Sequence, residues 1–184
     1  MRVIAGRAKS LRLKTPDGMG TRPTTDRIKE TLFNMFRPEA LSGSTFLDIF
    51  AGSGAIGIEA LSRGAKKAVF IEQNEKASAC IRDNLAFTKL PGGLVMEKDF
   101  SAALSSLKGE TFDFVFMDPP YALGAEEAVL KGLITNGLLN DRSLIIIEAG
   151  LDRVMPDFTA LHYELIREKT YTTNRHLFLI PLKE

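Results

Sequence analysis

The tetrapeptide Asp118-Pro119-Pro120-Tyr121 follows directly on an apolar run, Phe112–Met117. Two consecutive prolines remove two N–H donors, fix φ and keep the chain out of a helix. What remains to face a crevice is acceptor-only: the Asp118 carboxylate and the Pro119 carbonyl. That pair suits an NH₂ group presenting two hydrogens, and Tyr121 adds an aromatic face on which a base could stack. The exocyclic amine of a nucleobase is a poor nucleophile because its lone pair is delocalised into the ring. Accepting both hydrogens draws the nitrogen toward tetrahedral geometry and stabilises the positive charge that develops during attack. In isolation the same four residues also describe a rigid turn after a strand.

A second group lies upstream. The segment Asp48-Ile49-Phe50-Ala51-Gly52-Ser53-Gly54-Ala55-Ile56-Gly57 contains G-x-G-x-x-G at 52, 54 and 57, after a strand-like run and before a helix-like one. Such glycines let the backbone turn tightly and bring a ligand to the helix N-terminus. The next strand-like run ends in Glu72, twenty residues after Gly52, where a carboxylate can accept both hydroxyls of a ribose. The third ends near Asp99, a candidate for the amine of an adenine. No G-K-[ST] accompanies the loop, which argues against a nucleotide triphosphate. Asp48 sits four residues before Gly52, where it would repel a pyrophosphate but suit an ammonium or sulfonium. S-adenosylmethionine carries both cations; alternatively, Asp48 only bonds loop amides.

With an already activated methyl sulfonium, most catalysis comes from in-line positioning. No His–Asp or Cys–His pair is required. His162 and His176 both fall in the C-terminal hairpin region and are expected to be structural, and Cys80 is expected to face the core. A single cysteine excludes an intramolecular disulfide and a multi-thiolate zinc site. No metal is expected.

The elements that must position these residues alternate. Strand-like runs lie at 45–50, 67–72, 94–97, 112–117 and 143–148, with helix-like runs near 54–63, 74–88, 100–107 and 124–136. This pattern predicts a parallel sheet covered by helices on both sides. Runs at 161–168 and 174–181 with no helix between them predict a closing antiparallel hairpin, unlike a dehydrogenase-type Rossmann domain. Ahead of the core, 2–5 and 10–14 could pair as a short hairpin, and Asp26 to Phe36 reads as a helix capped by Thr24 or Thr25.

At 184 residues, 45% hydrophobic and 26% charged, the chain is expected to form one domain, with a basic N-terminal extension at 1–37 and a catalytic core at 38–184. No apolar run approaches the ~20 residues of a membrane span, and residues 1–7 carry no signal-peptide h-region. A cytoplasmic setting is expected. Net charge is +1, but residues 1–37 carry +6 and the remainder −5. Arg2, Arg7, Lys9, Arg12, Arg22 and Arg27 are therefore candidate phosphate contacts on a polyanion, RNA in particular; an ordinary solvated basic end has the same composition.

The chain resembles the class I, S-adenosylmethionine-dependent methyltransferases of exocyclic amines, and more narrowly the RsmD family of small-subunit rRNA guanine-N2 methyltransferases. Met1–Gly6, Thr21–Arg27 leading into Thr31-Leu32-Phe33-Asn34, and the run Phe46–Ala65 are similar to that family's signatures, and the likeness covers nearly the whole chain. It implies a Rossmann-like α/β fold, a mostly parallel seven-stranded sheet with an antiparallel C-terminal strand. It also implies methylation of one guanine in 16S rRNA, free or in an assembling small subunit, by a monomer. Carried over by motif, Asp48, Phe50, Ala51, Gly52, Gly54, Glu72, Gln73, Asp99, Phe100 and Asp118 would bind cofactor. Asp118, Pro119 and Tyr121 would hold the flipped base, with Arg22 and Thr24 near the methionine end or the RNA entrance. One departure is Thr172 after Tyr171, where family members usually carry a Tyr-Gly turn.

Three other readings compete. A DNA adenine methyltransferase could share Asp-Pro-Pro-Tyr but usually needs an added target-recognition segment. A NAD-dependent dehydrogenase explains Gly52 to Glu72 and leaves Asp118 to Tyr121 without a use. A non-catalytic RNA-binding protein explains the basic end but not the cofactor loop.

Overall fold

The computed structural model describes residues 1–16, 26–120 and 124–182. The expected N-cap at Thr24 or Thr25, together with Arg22 and Tyr121, lies outside them. In chain order the elements are α1 (Asp26–Phe33), β1 (Thr45–Ile49), α2 (Ala55–Ser62), β2 (Lys67–Ile71), α3 (Glu75–Thr88) and β3 (Gly93–Met96). They continue with α4 (Phe100–Ser106), β4 (Phe112–Met117), α5 (Glu126–Thr135), β5 (Leu139–Gly150), β6 (Tyr163–Thr170) and β7 (Asn174–Pro181). The seven strands form one sheet in the order β3-β2-β1-β4-β5-β7-β6. β1 to β5 run parallel, and β7 is antiparallel to both β5 and β6.

Side-chain alternation sorts the strands into two buried faces. Phe46, Phe70, Phe116, Ile146 and Phe178 share one core with α1, α2 and the N-terminal segment. Leu47, Val69, Val115, Ile147 and Leu177 face the other, beneath α4 and α5. The chain leaves β1 toward β2 on one side and returns to β4 on the other. The carboxyl ends of β1 and β4 therefore flank the crevice where open α/β sheets bind ligands.

The N-terminal segment is fastened to this body. Arg2 and Arg12 form an antiparallel bridge, Val3 N–H donates to Leu11 and Ser10 N–H to Val3, and Val3, Ala8 and Leu13 are buried. Glu59 of α2, with no exposed surface, accepts the amides of Ile4 and Ala5 at 2.8 and 3.0 Å. It also pairs with Lys29 at 3.4 Å and Arg63 at 2.8 Å. Lys29, one of the nine cations of the basic end, thus points inward. Burial pulls its ammonium below the ordinary lysine range, opposed by the Glu59 charge, so it adds nothing to a phosphate-binding surface.

Some boundaries differ from expectation. The helix expected to reach Phe36 stops at Phe33, where i→i−3 bonds from Met35 and Phe36 tighten the chain. That turn sets Phe36 edge-on against Phe33 and Phe114, at 5.8 and 5.2 Å. β5 is longer than the expected 143–148, and β6 starts two residues late because His162 adopts φ +65 in a turn bonded to Thr159.

Candidate active site

The glycine loop is shaped by carboxylates at the ends of two neighbouring strands. Asp48 is 2% exposed and accepts the Gly57 amide at 2.9 Å. Glu72 accepts the Gly52 amide through one oxygen and the Asn74 amide through the other, each at 2.9 Å. Gly57 brings α2 close to β2, for a Cβ there would stand 2.4 Å from the Phe70 ring. Gly52 and Gly54 have φ +57 and +75, and a Cβ at Gly52 would meet nothing within 4 Å. From α3, Asn84 donates to Ser53 and to Lys14, and so ties the loop to the N-terminal segment.

These residues suit the cofactor that the motif implies. A carboxylate oxygen that accepts one amide keeps a lone pair for another donor, so Glu72 can brace its loop and still take a ribose hydroxyl. Burial, opposed by the Gly57 amide and reinforced by the Glu72 charge, pushes Asp48 up to about 8. A cationic ligand is the natural complement of such a group. Phe50 and Phe100 meet at 5.5 Å between ring centroids, an apolar wall on the β3 side of the loop. Asp99 is exposed and caps α4, accepting Ser101 and Ala102 amides at 2.9 and 3.4 Å. Gln73 is exposed and Ala51 half-buried.

Asp118 follows β4 on the other side of the crevice. It is half-buried, Pro119 is buried and Pro120 exposed. Burial, then the charges of Glu148 and Asp48, push Asp118 up to about 8. Three carboxylates on adjacent parallel strands thus bias the centre strongly toward cations and hydrogen-bond donors.

The side chains behind Asp118 are not among the residues singled out by motif. Glu148 on β5 is 6% exposed and accepts from Asn174 Nδ2 at 2.5 Å; its second oxygen lies 3.1 Å from His176 Nε2. His176 has no exposed surface, and its Nδ1 lies 3.2 Å from the Tyr171 hydroxyl. Spacing alone gives His176 no acidic partner, because the Glu148–His176 pairing depends on the β5–β7 register. The one available signal is an acid closing the apolar run Ile145-Ile146-Ile147, as Asp118 closes Phe112–Met117. Cys80 is buried as expected. Among the described residues, no three His, Cys, Asp or Glu side chains gather as a metal site.

The N-terminal cations divide. Arg2 is paired with Asp26 at 3.4 Å, whereas Arg7, Lys9, Arg12 and Arg27 are exposed. Lys14, counted in the same balance, bonds Asp83 at 2.8 Å.

With β7 running antiparallel between β5 and β6, the sheet is that of a class I, Rossmann-like methyltransferase. Residues 1–180 match the family model described as Conserved hypothetical protein 95, and the chain belongs to that family, the RsmD family. It is 40% identical to the Ribosomal RNA small subunit methyltransferase D of Escherichia coli K12 over 169 residues, 92% of this chain and 84% of that protein. The enzyme of the same name from Haemophilus influenzae is 37% identical over 174 residues, 92% and 88% of the two chains. The solved structure of yhhF from Escherichia coli superposes with a TM-score of 0.88 at 34% identity, covering 100% of this chain and 99% of that one. A likeness of fold alone extends to Trm5b from Pyrococcus abyssi, at TM-score 0.65 and 17% identity over 89% and 50% of the chains.

Proposed function

We propose that this protein transfers the methyl group of S-adenosylmethionine to the exocyclic N2 amine of a guanine in small-subunit ribosomal RNA. Methyltransferase chemistry on rRNA is carried by the family and by the curated relatives named above. The observation that carries the finer reading is the acceptor-only Asp118–Pro119 at the carboxyl end of β4, one strand from the Asp48 loop.

The cofactor supplies an activated methyl group on a cationic sulfur. The chain supplies the rest. Glu72, Asp48 and the Gly52–Gly54 backbone hold the nucleoside and its cationic end, and Phe50 and Phe100 give the base an apolar wall. Asp118 and the Pro119 carbonyl accept the two amine hydrogens, orient the nitrogen lone pair and stabilise the charge that grows on it. Tyr121 offers a stacking face. Arg7, Lys9, Arg12, Arg22 and Arg27 meet phosphates and fix the position of the RNA without reading its bases. We read the enzyme as a monomer acting on 16S rRNA, free or in an assembling small subunit.

The test is incubation of the protein and labelled S-adenosylmethionine with rRNA, small-subunit particles and duplex DNA, followed by nucleoside mass spectrometry. N2-methylguanosine at one position of the small-subunit RNA is expected. Label on adenine, or on DNA only, overturns the guanine assignment. Comparison of free RNA with particles identifies the physiological form, and sedimentation at working concentration tests the monomer.

A further inference from the structure

The row of acids at the carboxyl ends of the strands continues past Asp118. Phe116 pairs with Ile146 and Met117 with Ile147 across β4 and β5. Asp118 and Glu148 are the next positions but one after Phe116 and Ile146, so alternation puts both on the same face, about 4.8 Å apart in the strand-to-strand direction. Glu148 lies on the side of Asp118 away from the cofactor loop, since the strands run β1, β4, β5.

Glu148 is gripped from β7. Asn174 Nδ2 donates to one oxygen and His176 Nε2 lies against the other. An ionised carboxylate only accepts, so Nε2 is the donor; in the neutral ring Nδ1 then accepts from the Tyr171 hydroxyl. Asn174 Nδ2 and His176 Nε2 thus converge on Glu148 and fix its rotamer. The oxygen of Asn174 is itself a buried acceptor with no hydrogen-bond partner among the described residues. The head of the β4–β5–β7 ridge thus lines up acceptors, Asp118, the Pro119 carbonyl, Asn174 Oδ1 and the already partnered Glu148, whose carboxylate oxygens each have more than one lone pair to offer.

Three RNA bases carry an exocyclic amine, and their neighbouring ring atoms differ. In adenine and cytosine every ring nitrogen flanking the amine-bearing carbon presents a lone pair. Guanine alone has a donor there, N1–H, and its donor edge is complementary to a ridge of acceptors. We propose that Glu148 is a specificity-determining residue of this site, a carboxylate that accepts the N1–H of the target guanine beside the amine held by Asp118. Asn174 and His176 are its positioning residues. The assignment rests on the guanine-N2 reading and deepens it: a lone pair at N1 would face an acceptor and offer it no hydrogen.

The experiment uses a small-subunit rRNA fragment spanning the methylated position, carrying guanine, 2-aminopurine or hypoxanthine there. 2-Aminopurine keeps the C2 amine but has a lone pair at N1 and no O6; hypoxanthine keeps N1–H and O6 but lacks the amine. For the wild-type protein, kcat/KM on 2-aminopurine is expected to fall at least about tenfold below guanine, the range of a charged hydrogen bond. The hypoxanthine RNA is expected to inhibit with a Ki near the KM of the guanine RNA. In Glu148→Gln, guanine kcat/KM is expected to fall about tenfold to a hundredfold while the 2-aminopurine to guanine ratio rises toward one, with S-adenosylmethionine affinity unchanged. Equal wild-type rates on guanine and 2-aminopurine would overturn the role of Glu148, as would a variant that loses both substrates in parallel. The analogue series needs no variant, so misfolding of Glu148→Gln leaves the question decidable. Absence of N2-methylation on the guanine RNA itself rejects the guanine reading and this assignment together; failure confined to the analogues rejects this assignment alone.

Discussion

The two halves of the crevice are built differently. On the β1–β2 side, Asp48 and Glu72 are satisfied by backbone amides of the loop they shape, within twenty residues of their partners in sequence. On the β4–β5–β7 side, Asp118 stands beside Glu148, which is held by side chains 26 and 28 residues further on. The first half is a local motif whose glycines and acids act on one another directly. The second is assembled by strand register, so that residues without chemical neighbours in sequence acquire them in space. The cofactor half can therefore be disturbed by loop substitutions alone, whereas the acceptor half also answers to changes on β7.

The largest expected effect tests whether the halves are separable. Asp118→Ala should lower kcat about a hundredfold or more, the usual cost of removing a preorganised partner of the transition state, and change S-adenosylmethionine affinity by calorimetry far less than it changes kcat. A variant that keeps its kcat would remove Asp118 from the chemistry. Glu72→Ala should do the reverse. Loss of a charge-assisted bond weakens cofactor binding by about 1.5–3 kcal/mol, roughly a tenfold to hundredfold change in Kd, and loss of the brace on the Gly52 amide adds to it. Undiminished affinity would leave Glu72 with only its structural bonds.

A smaller effect couples the halves through protons. Asp48 and Asp118 both titrate near 8 in the folded protein, far above an unfolded aspartate. A carboxyl raised in this way contributes stability that is fully present below about pH 4 and is lost as pH rises through about 8. The melting temperature of the free protein should thus decline between about pH 5 and 8. A sulfonium beside either group favours its carboxylate, so binding should release protons at neutral pH and tighten as pH rises toward 8. Calorimetry in two buffers of different ionisation enthalpy reads the sign, and proton uptake would contradict it. In Asp118→Asn the release should shrink by that residue's share.

The smallest effect belongs to the basic end. With Lys29 buried and Arg2 and Lys14 in ion pairs, only part of the +6 balance is available to phosphates. Arg7, Lys9 and Arg12 changed together to Gln should flatten the slope of log affinity for RNA against log salt by up to about three contacts at about 0.7–0.9 each. They should raise KM for RNA without altering cofactor affinity. Superimposable slopes would reduce the segment to a solvated surface.

Much of the molecule is legible in local chemistry. Alternation of apolar runs with helical spacing yields the sheet and the closing hairpin, because period-2 and period-3.6 patterns are written in neighbouring residues. The placement of the glycine loop, Glu72 and Asp118 is readable for the same reason: each sits at a position fixed relative to the end of its own strand. Charge is less legible. Lys29 counts equally with Arg7 in a composition, and only packing against Glu59 turns one inward and leaves the other in water.

By itself, then, the order of residues determined which strands end in a carboxylate, where the backbone can take positive φ at Gly52 and Gly54, and that Pro119 and Pro120 leave acceptors without donors. Tertiary structure decided which of those strand ends stand side by side. Glu148 and His176 become partners only because β7 inserts antiparallel against β5 with Ile146 opposite Phe178, and a slip of β7 by one residue would turn His176 to the face opposite Glu148. Register is set by the burial of whole apolar faces rather than by the polar residues at their ends. That is why the polar cluster behind Asp118 cannot be read from its own residues.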